Sequence, residues 1–220
     1  LPYLDKEDFD FNHQDIYNAL NKWDCQNVNE SKESIYFEVF FQQYKKLLWD
    51  EFGDGLATPN IIQTLTLLED STKHPFIDNK TTKEIETQKD LITQAFNFSV
   101  ESYENGEAKT WGKYNEVNFA HIAKLEAFSR KIETSGGNNH VINATRGKFG
   151  PSWRMILDFD GGKINGIGVF PGGESGNPGS PFYDNFVDDW ASEKYHRLEN
   201  NGDKAFYEKA IFNKVLFLGK

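Results

Sequence analysis

The sequence predicts an α+β fold, a helical N-terminal half followed by antiparallel strands. Two observations carry that prediction. From Tyr36 to Leu48 the apolar and aromatic residues recur every three or four positions, the spacing of one helix face. From Ser152 to Phe159 they alternate instead, which is the period of a strand. The character changes after Gly136-Gly137. That divides the chain into a helical region, 1–135, and a region of strands and one helix, 136–220. With 220 residues, 15% aromatic and 19 of them Phe, the chain can bury a substantial core and is not a disordered polymer.

The elements follow in order. After Ser31 a broad stripe of Tyr36, Phe37, Phe40, Phe41, Tyr44, Leu47 and Leu48 marks a helix, and Gly53 and Gly55 stop it. A shorter helix is expected over Asn60–Glu69, and Ser71–Lys80 reads as a loop. Thr81-Thr-Lys-Glu84 has the capping-box spacing, so it should open a helix with Ile85, Leu91, Ile92, Ala95, Phe96 and Ser99 on its apolar face, ending near Asn105-Gly106. His140–Thr145 is a short strand candidate. In Ser152–Phe159, Trp153, Met155, Leu157 and Phe159 should face one way and Ser152, Arg154, Ile156 and Asp158 the other. Asp160-Gly161-Gly162 is a turn, so Ile164–Phe170 should return as a hairpin partner. Ile211–Leu218 completes the strands, and no internal repeat is seen.

The formal charge of −10 argues against nucleic acid or an anionic membrane as partner. Cys25 is the single cysteine, which excludes an internal disulfide and a cysteine metal cluster. No apolar run reaches the length of a membrane span. The chain opens at Leu1 rather than at Met and reads as a processed or trimmed piece, so the lack of a visible signal peptide leaves the compartment open.

The stretch Gly172-Gly-Glu-Ser-Gly-Asn-Pro-Gly-Ser-Pro-Phe-Tyr-Asp184 invites several chemistries. It lacks the Gly-Lys-Ser/Thr of a phosphate loop. Gly173-Glu-Ser175-Gly-Asn177 lacks the last glycine of a nucleophile elbow. Phe182, Tyr183, Phe186 and Trp190 follow at helical spacing, so the stretch reads as a turn into a packed helix with Ser180 as its cap. Asp184, Asp188 and Asp189 do not have EF-hand spacing and read as a solvated face in the first turns of that helix. Ser152, His140 and Asp158 are the residue types of a serine triad, but nothing in the sequence places them together. Asn-x-Ser/Thr sequons begin at Asn29, Asn79, Asn97 and Asn143, and Asn97 falls inside a predicted helix.

Four segments in order resemble the penicillin amidase (penicillin acylase) family. They are Ala19-Leu-x-x-Trp-Asp24; Trp111-Gly-x-Tyr-Asn with Phe119-Ala-His121; Gly136-Gly137 through Val141-Ile-Asn143 to Gly150-Pro-Ser-Trp-Arg-Met-Ile-Leu-Asp158; and Gly173 to Asp184 followed by Trp190 and Tyr195. The resemblance implies an N-terminal nucleophile hydrolase built as an αββα sandwich. A precursor cuts itself into α and β chains. The new N-terminal serine attacks an amide carbonyl, its own amino group is the base, and an asparagine with a backbone N–H holds the oxyanion.

Only the C-terminal part of a β chain is matched, so the nucleophile and the oxyanion asparagine are expected upstream and no catalytic residue is carried onto this chain. The family's calcium ligands also fall upstream, so no cofactor and no metal site is expected in this segment. Trp111, His121, Ser152, Arg154, Tyr183 and Asp184 are the positions expected to support the structure or buttress a pocket. Arg154 leads a strand that runs near the reaction centre in the family fold. The implied partners are the rest of the parent acylase (its α chain and the N-terminal part of its β chain) and a small N-acylated substrate, such as a β-lactam with an acyl side chain or an acyl homoserine lactone. Self-association of the isolated segment is expected through an uncovered strand edge. A bacterial periplasmic or extracellular location is implied by the resemblance alone. The alternative is a non-catalytic binding module that retains part of the fold.

Overall fold

The structure is a computed structural model and describes residues 1–53, 55–69, 75–147, 149–161 and 163–198. Its elements run α1 (Phe11–Lys22), α2 (Glu33–Leu48), α3 (Ile61–Glu69), α4 (Gln88–Asn105), α5 (Trp111–Tyr114), β1 (Val117–Phe119), β2 (Arg130–Ile132), β3 (Arg154–Asp160), β4 (Lys163–Val169), α6 (Val187–Ala191) and β5 (His196–Leu198). Helices come first and antiparallel strands after, so the fold is α+β. No described helix is long and apolar enough to cross a membrane. The chain forms two compact units. Among the described residues, one is 1–120 with 129–149, and the other is 121–128 with 150–198.

The first unit is built on α2 and α4. Tyr36, Tyr44 and Leu48 of α2 meet Leu91, Ile92, Ala95, Phe96 and Val100 of α4, with Ile16 of α1 and Trp49 completing the cluster. Each large apolar side chain buried there contributes about 1.5–3 kcal/mol. Phe37, on the predicted stripe, lies at its margin and is exposed. A cap also fixes α3. Asn60 Oδ1 accepts from Gln63 N (3.0 Å), and Gln63 Oε1 accepts from Asn60 N (2.9 Å). Its fully buried Thr64 Oγ1 accepts from Trp49 Nε1 at 3.1 Å.

Two expectations in this unit are corrected. α4 does not open at Thr81-Thr-Lys-Glu84. Its N-cap is Thr87, whose hydroxyl accepts from Asp90 N at 3.3 Å while Asp90 Oδ2 accepts from Thr87 N at 2.8 Å. Upstream, local hydrogen bonds win the backbone. Asn79 Oδ1 accepts from Thr81 N at 2.9 Å, Glu86 Oε2 from Asn79 N at 3.0 Å, and Asp78 Oδ1 from Glu86 N at 3.2 Å. Ile85 is left outside the helix, 79% exposed.

The segment His140–Thr145 is not a strand. Ala144 N donates to Ile142 O at 3.0 Å and Thr145 N to Asn143 O at 2.8 Å, which coils the segment tightly. The side chains of Asn143 and Thr145 both reach Gly136 O, so the segment folds over the glycines instead of extending. The strands formed instead are β1 and β2, paired antiparallel with Val117 opposite Ile132. At three residues each they are too short to show a period.

In the second unit β3, β4 and β5 form an antiparallel sheet in that order, with Arg154 opposite Val169, Asp160 opposite Lys163, and Gly168 opposite His196. The predicted hairpin is present, and Gly161 takes a φ of 55° at its turn, a conformation that favours glycine. The predicted inner face is not. Trp153, Met155, Leu157 and Phe159 are all exposed, and Arg154, assigned to the outer face, is the buried residue of β3. Among the described residues the buried apolar side chains of this unit are Val169, Val187, Trp190 and Ala191, and of β3 only Arg154 is buried. β5 was not anticipated, and the expected strand Ile211–Leu218 lies outside the described residues.

The cap correction is directly testable. Thr87→Ala should cost about 1 kcal/mol of stability, the usual value of an N-cap. Ile85→Ala should stay within about 0.5 kcal/mol, as surface substitutions do. Urea denaturation of both variants measures this, and the reverse order would restore the upstream start.

Candidate functional site

Arg154 is the most constrained of the sequence-selected residues. It begins β3 and is 8% exposed. Its Nη1 donates to Trp190 O at 2.6 Å, and its guanidinium carbon lies 4.3 Å above the Trp190 ring. Burial pushes its pKa down, and Tyr195 and Glu193 oppose that. A planar cation stacked on an indole gains cation–π energy without giving up its charge. Trp190, fully buried, closes the arrangement by donating from Nε1 to Pro151 O at 2.9 Å.

The glycine-rich stretch delivers Trp190 to this position. Ser175 N donates to Phe182 O at 3.0 Å and Phe186 N to Gly172 O at 2.8 Å, drawing both ends of the stretch together. A Cβ on Gly173 would fall 2.2 Å from Phe182 O, so this close approach needs glycine. Inside the loop Ser175 Oγ accepts from Asn177 N, Asn177 Oδ1 from Gly179 N, and Ser180 Oγ from Phe182 N. Ser180 therefore caps a local turn, not the helix. α6 starts only at Val187, with Phe186 at its N-cap position. Phe182 is 56% exposed and does not share a buried face with Trp190. Asp184 is half-buried, and its carbonyl accepts from Val187 N at 3.0 Å.

His121 and Tyr183 are brought together. Their ring centroids are 6.4 Å apart, and Phe128 lies 5.5 Å from the imidazole. Tyr183 OH donates to Phe128 O at 3.0 Å. His121 Nδ1 accepts from Ala123 N at 3.3 Å, which leaves the Nε2 tautomer for the neutral ring. Ser152 is exposed ahead of β3. His140 stands edge-on to Phe41 at 6.1 Å in the first unit, whereas Ser152 and Asp158 are exposed in the second. Trp111 belongs to the first unit, 2% exposed, and its Nε1 donates to Gly137 O at 3.0 Å.

The solvated face expected of Asp184, Asp188 and Asp189 is corrected at Asp189, which is half-buried and paired. Asp189 accepts from Lys194 Nζ at 2.9 Å and pairs with His196 Nε2 at 2.8 Å. The hydrogen bond from Lys194, with that from His196, holds its carboxyl below the usual value. His196 also meets Phe186 edge-on at 5.0 Å. The pair joins α6 to β5, and β5 gave no periodic signal. Among the described residues no group of three or more His, Cys, Asp and Glu could hold a metal ion.

The sequence model of the penicillin amidase family matches residues 1–205. The chain belongs to the penicillin amidase family. All four segments that resemble the family lie within that match. The acyl-homoserine lactone acylase QuiP of Pseudomonas syringae pathovar syringae is 23% identical over 90% of this chain. The protein of the same name from Pseudomonas fluorescens is 26% identical over 84%. The chain spans only 28% and 26% of the lengths of those two relatives. A thermostable penicillin G acylase from Alcaligenes faecalis aligns in structure over 98% of this chain and 44% of its own, with 12% identity and a TM-score of 0.49.

Trp190 carries the second unit's core, and its loss should be felt accordingly. Trp190→Ala is expected to destabilise by about 3–5 kcal/mol in chemical denaturation, as large core truncations do. Ser152→Ala should change stability by no more than about 0.5 kcal/mol. A Trp190→Ala variant as stable as the parent would show that the Arg154 stack does not organise this unit.

Proposed function

We propose that this chain is part of an acylase that hydrolyses the amide bond of N-acylated small molecules. N-acyl homoserine lactones are the leading substrate class, and β-lactams with an acyl side chain the second. The chain supplies the frame of that enzyme and not its reacting groups. The family match over residues 1–205 carries the reading, and the relatives named acyl-homoserine lactone acylases point to the substrate class.

The frame role is supported by where the polar hydrogens go. Trp111 Nε1, Arg154 Nη1 and Tyr183 OH donate to the carbonyls of Gly137, Trp190 and Phe128. A donor committed to the main chain holds a loop or strand end in place and is not free to orient a substrate. In this reading the rest of the protein brings an N-terminal serine, formed by self-cleavage, whose own amino group takes its proton. The serine attacks the amide carbonyl, the amine leaves, and water releases the acid from the acyl-enzyme. An asparagine and a backbone N–H there hold the oxyanion. Any calcium ion belongs to that part as well. A periplasmic or extracellular setting fits such a precursor.

The test uses two proteins, the full reading frame that contains this chain and the 220-residue chain alone. Each is incubated with N-acyl homoserine lactones and with penicillin G, and released amine is measured. The expected result is turnover by the first and none by the second above a heat-denatured control. Turnover by the isolated chain would overturn the frame role. A full protein inactive on every acyl substrate would favour the non-catalytic binding module.

A further inference from the structure

A cleft of about 500 Å³ in the first unit is lined by Glu38, Gln42, Trp111, Tyr114, Asn115 and Arg146, among others. Two charges of opposite sign share it, and they are differently placed. Glu38 lies on α2 and is 6% exposed. Its Oε1 accepts from the neutral amide of Gln42 at 2.6 Å. Arg146 is exposed at the mouth, with its guanidinium carbon 5.2 Å from the Phe149 ring. Neither is ion-paired with a described residue.

A buried carboxylate with one neutral donor bears a desolvation cost that a cation beside it would offset. An exposed guanidinium resting over an aromatic ring keeps its forked donors for a carboxylate. Tyr114, 38% exposed and stacked on the buried Trp111 with centroids 5.6 Å apart, gives the cleft an aromatic wall. The wall favours an organic cation over a hydrated metal ion. Asn115 fixes the floor, because its Nδ2 donates to Gly137 O and Thr145 O and it is 5% exposed.

The geometry points to this cleft as a binding site for a small zwitterion of the α-amino-acid type, its ammonium inward on Glu38 and its carboxylate outward on Arg146. The site is independent of the acylase reading. It asks only that the α2–α5 face of the first unit be formed.

The matched set L-phenylalanine, 2-phenylethylamine and 3-phenylpropionate separates the two charges on one skeleton. Titration calorimetry on the full chain should show saturable binding of L-phenylalanine at least about tenfold tighter than of either singly charged analogue, since a charge-assisted hydrogen bond is worth about that factor or more. Glu38→Gln should abolish the advantage of L-phenylalanine over 3-phenylpropionate. Arg146→Gln should abolish its advantage over 2-phenylethylamine. Circular dichroism checks that each variant folds, and the three-ligand comparison on the unaltered chain does not depend on any variant. No saturable binding, equal binding of the three ligands, or folded variants that keep both preferences would overturn the assignment.

Discussion

Two adjacent carbonyl groups organise the part of the first unit that lies outside its α2–α4 core. Gly136 O accepts from Thr134 Oγ1, Asn143 Nδ2 and Thr145 Oγ1, at 3.1, 3.3 and 2.7 Å. Gly137 O accepts from Trp111 Nε1 and Asn115 Nδ2, at 3.0 and 3.2 Å. Both glycines hold positive φ, 123° and 95°, and a Cβ on either would fall 2.1 Å from a carbonyl oxygen, that of Asn27 or of Asn143. No other residue fits there, because the position demands both an unusual backbone conformation and the absence of a side chain. Around this point the short helix α5, the β2 end and the coiled segment before Thr145 are held without a large apolar core of their own. The cleft with Glu38 and Arg146 inherits its floor from the same hydrogen bonds through Asn115.

The second unit solves a similar problem with a cation and an indole. Among the described residues its buried apolar set is small, and β3 beyond Arg154 is exposed. Order at the covered end therefore rests on three polar arrangements. Arg154 lies on Trp190, Trp190 donates to Pro151 O, and the looped Gly172–Phe186 stretch delivers the chain to α6. The short span relative to the acyl-homoserine lactone acylases is consistent with a segment of a larger protein. Across the two units, Trp111, Arg154 and Tyr183 donate to main-chain carbonyls.

What the sequence disclosed followed from periodicity. The α2 and α4 faces and the β3–β4 hairpin were legible because several residues repeat one spacing in each. The family was legible because four spaced motifs, each weak, occur in one order. Four things were hidden. The start of α4 was masked by two capping patterns close together, and the Asn79 side chain decided between them by taking the backbone first. β1, β2 and β5 have three residues each, too few to show alternation. The buried face of β3 was misread because alternation names two faces but not which is covered. The cover comes from Trp190, thirty-six positions away. Asp189 was read as solvated for the same reason, since its pairing with His196 depends on a turn after α6 that has no local signature.

The most direct measurement compares alanine at two glycines of the first unit. Gly137 and Gly147 both have positive φ, 95° and 43°, so alanine strains the backbone at each. They differ in surroundings, since nothing lies within 4 Å of a Cβ at Gly147. If the paired carbonyls organise that part of the first unit, Gly147→Ala should cost about 1–2 kcal/mol of backbone strain and keep cooperative unfolding. Gly137→Ala should cost clearly more, and should also expose Trp111, seen as a red-shifted and quenchable indole emission. Equal stability of the two variants, with Trp111 still shielded in both, would contradict the account.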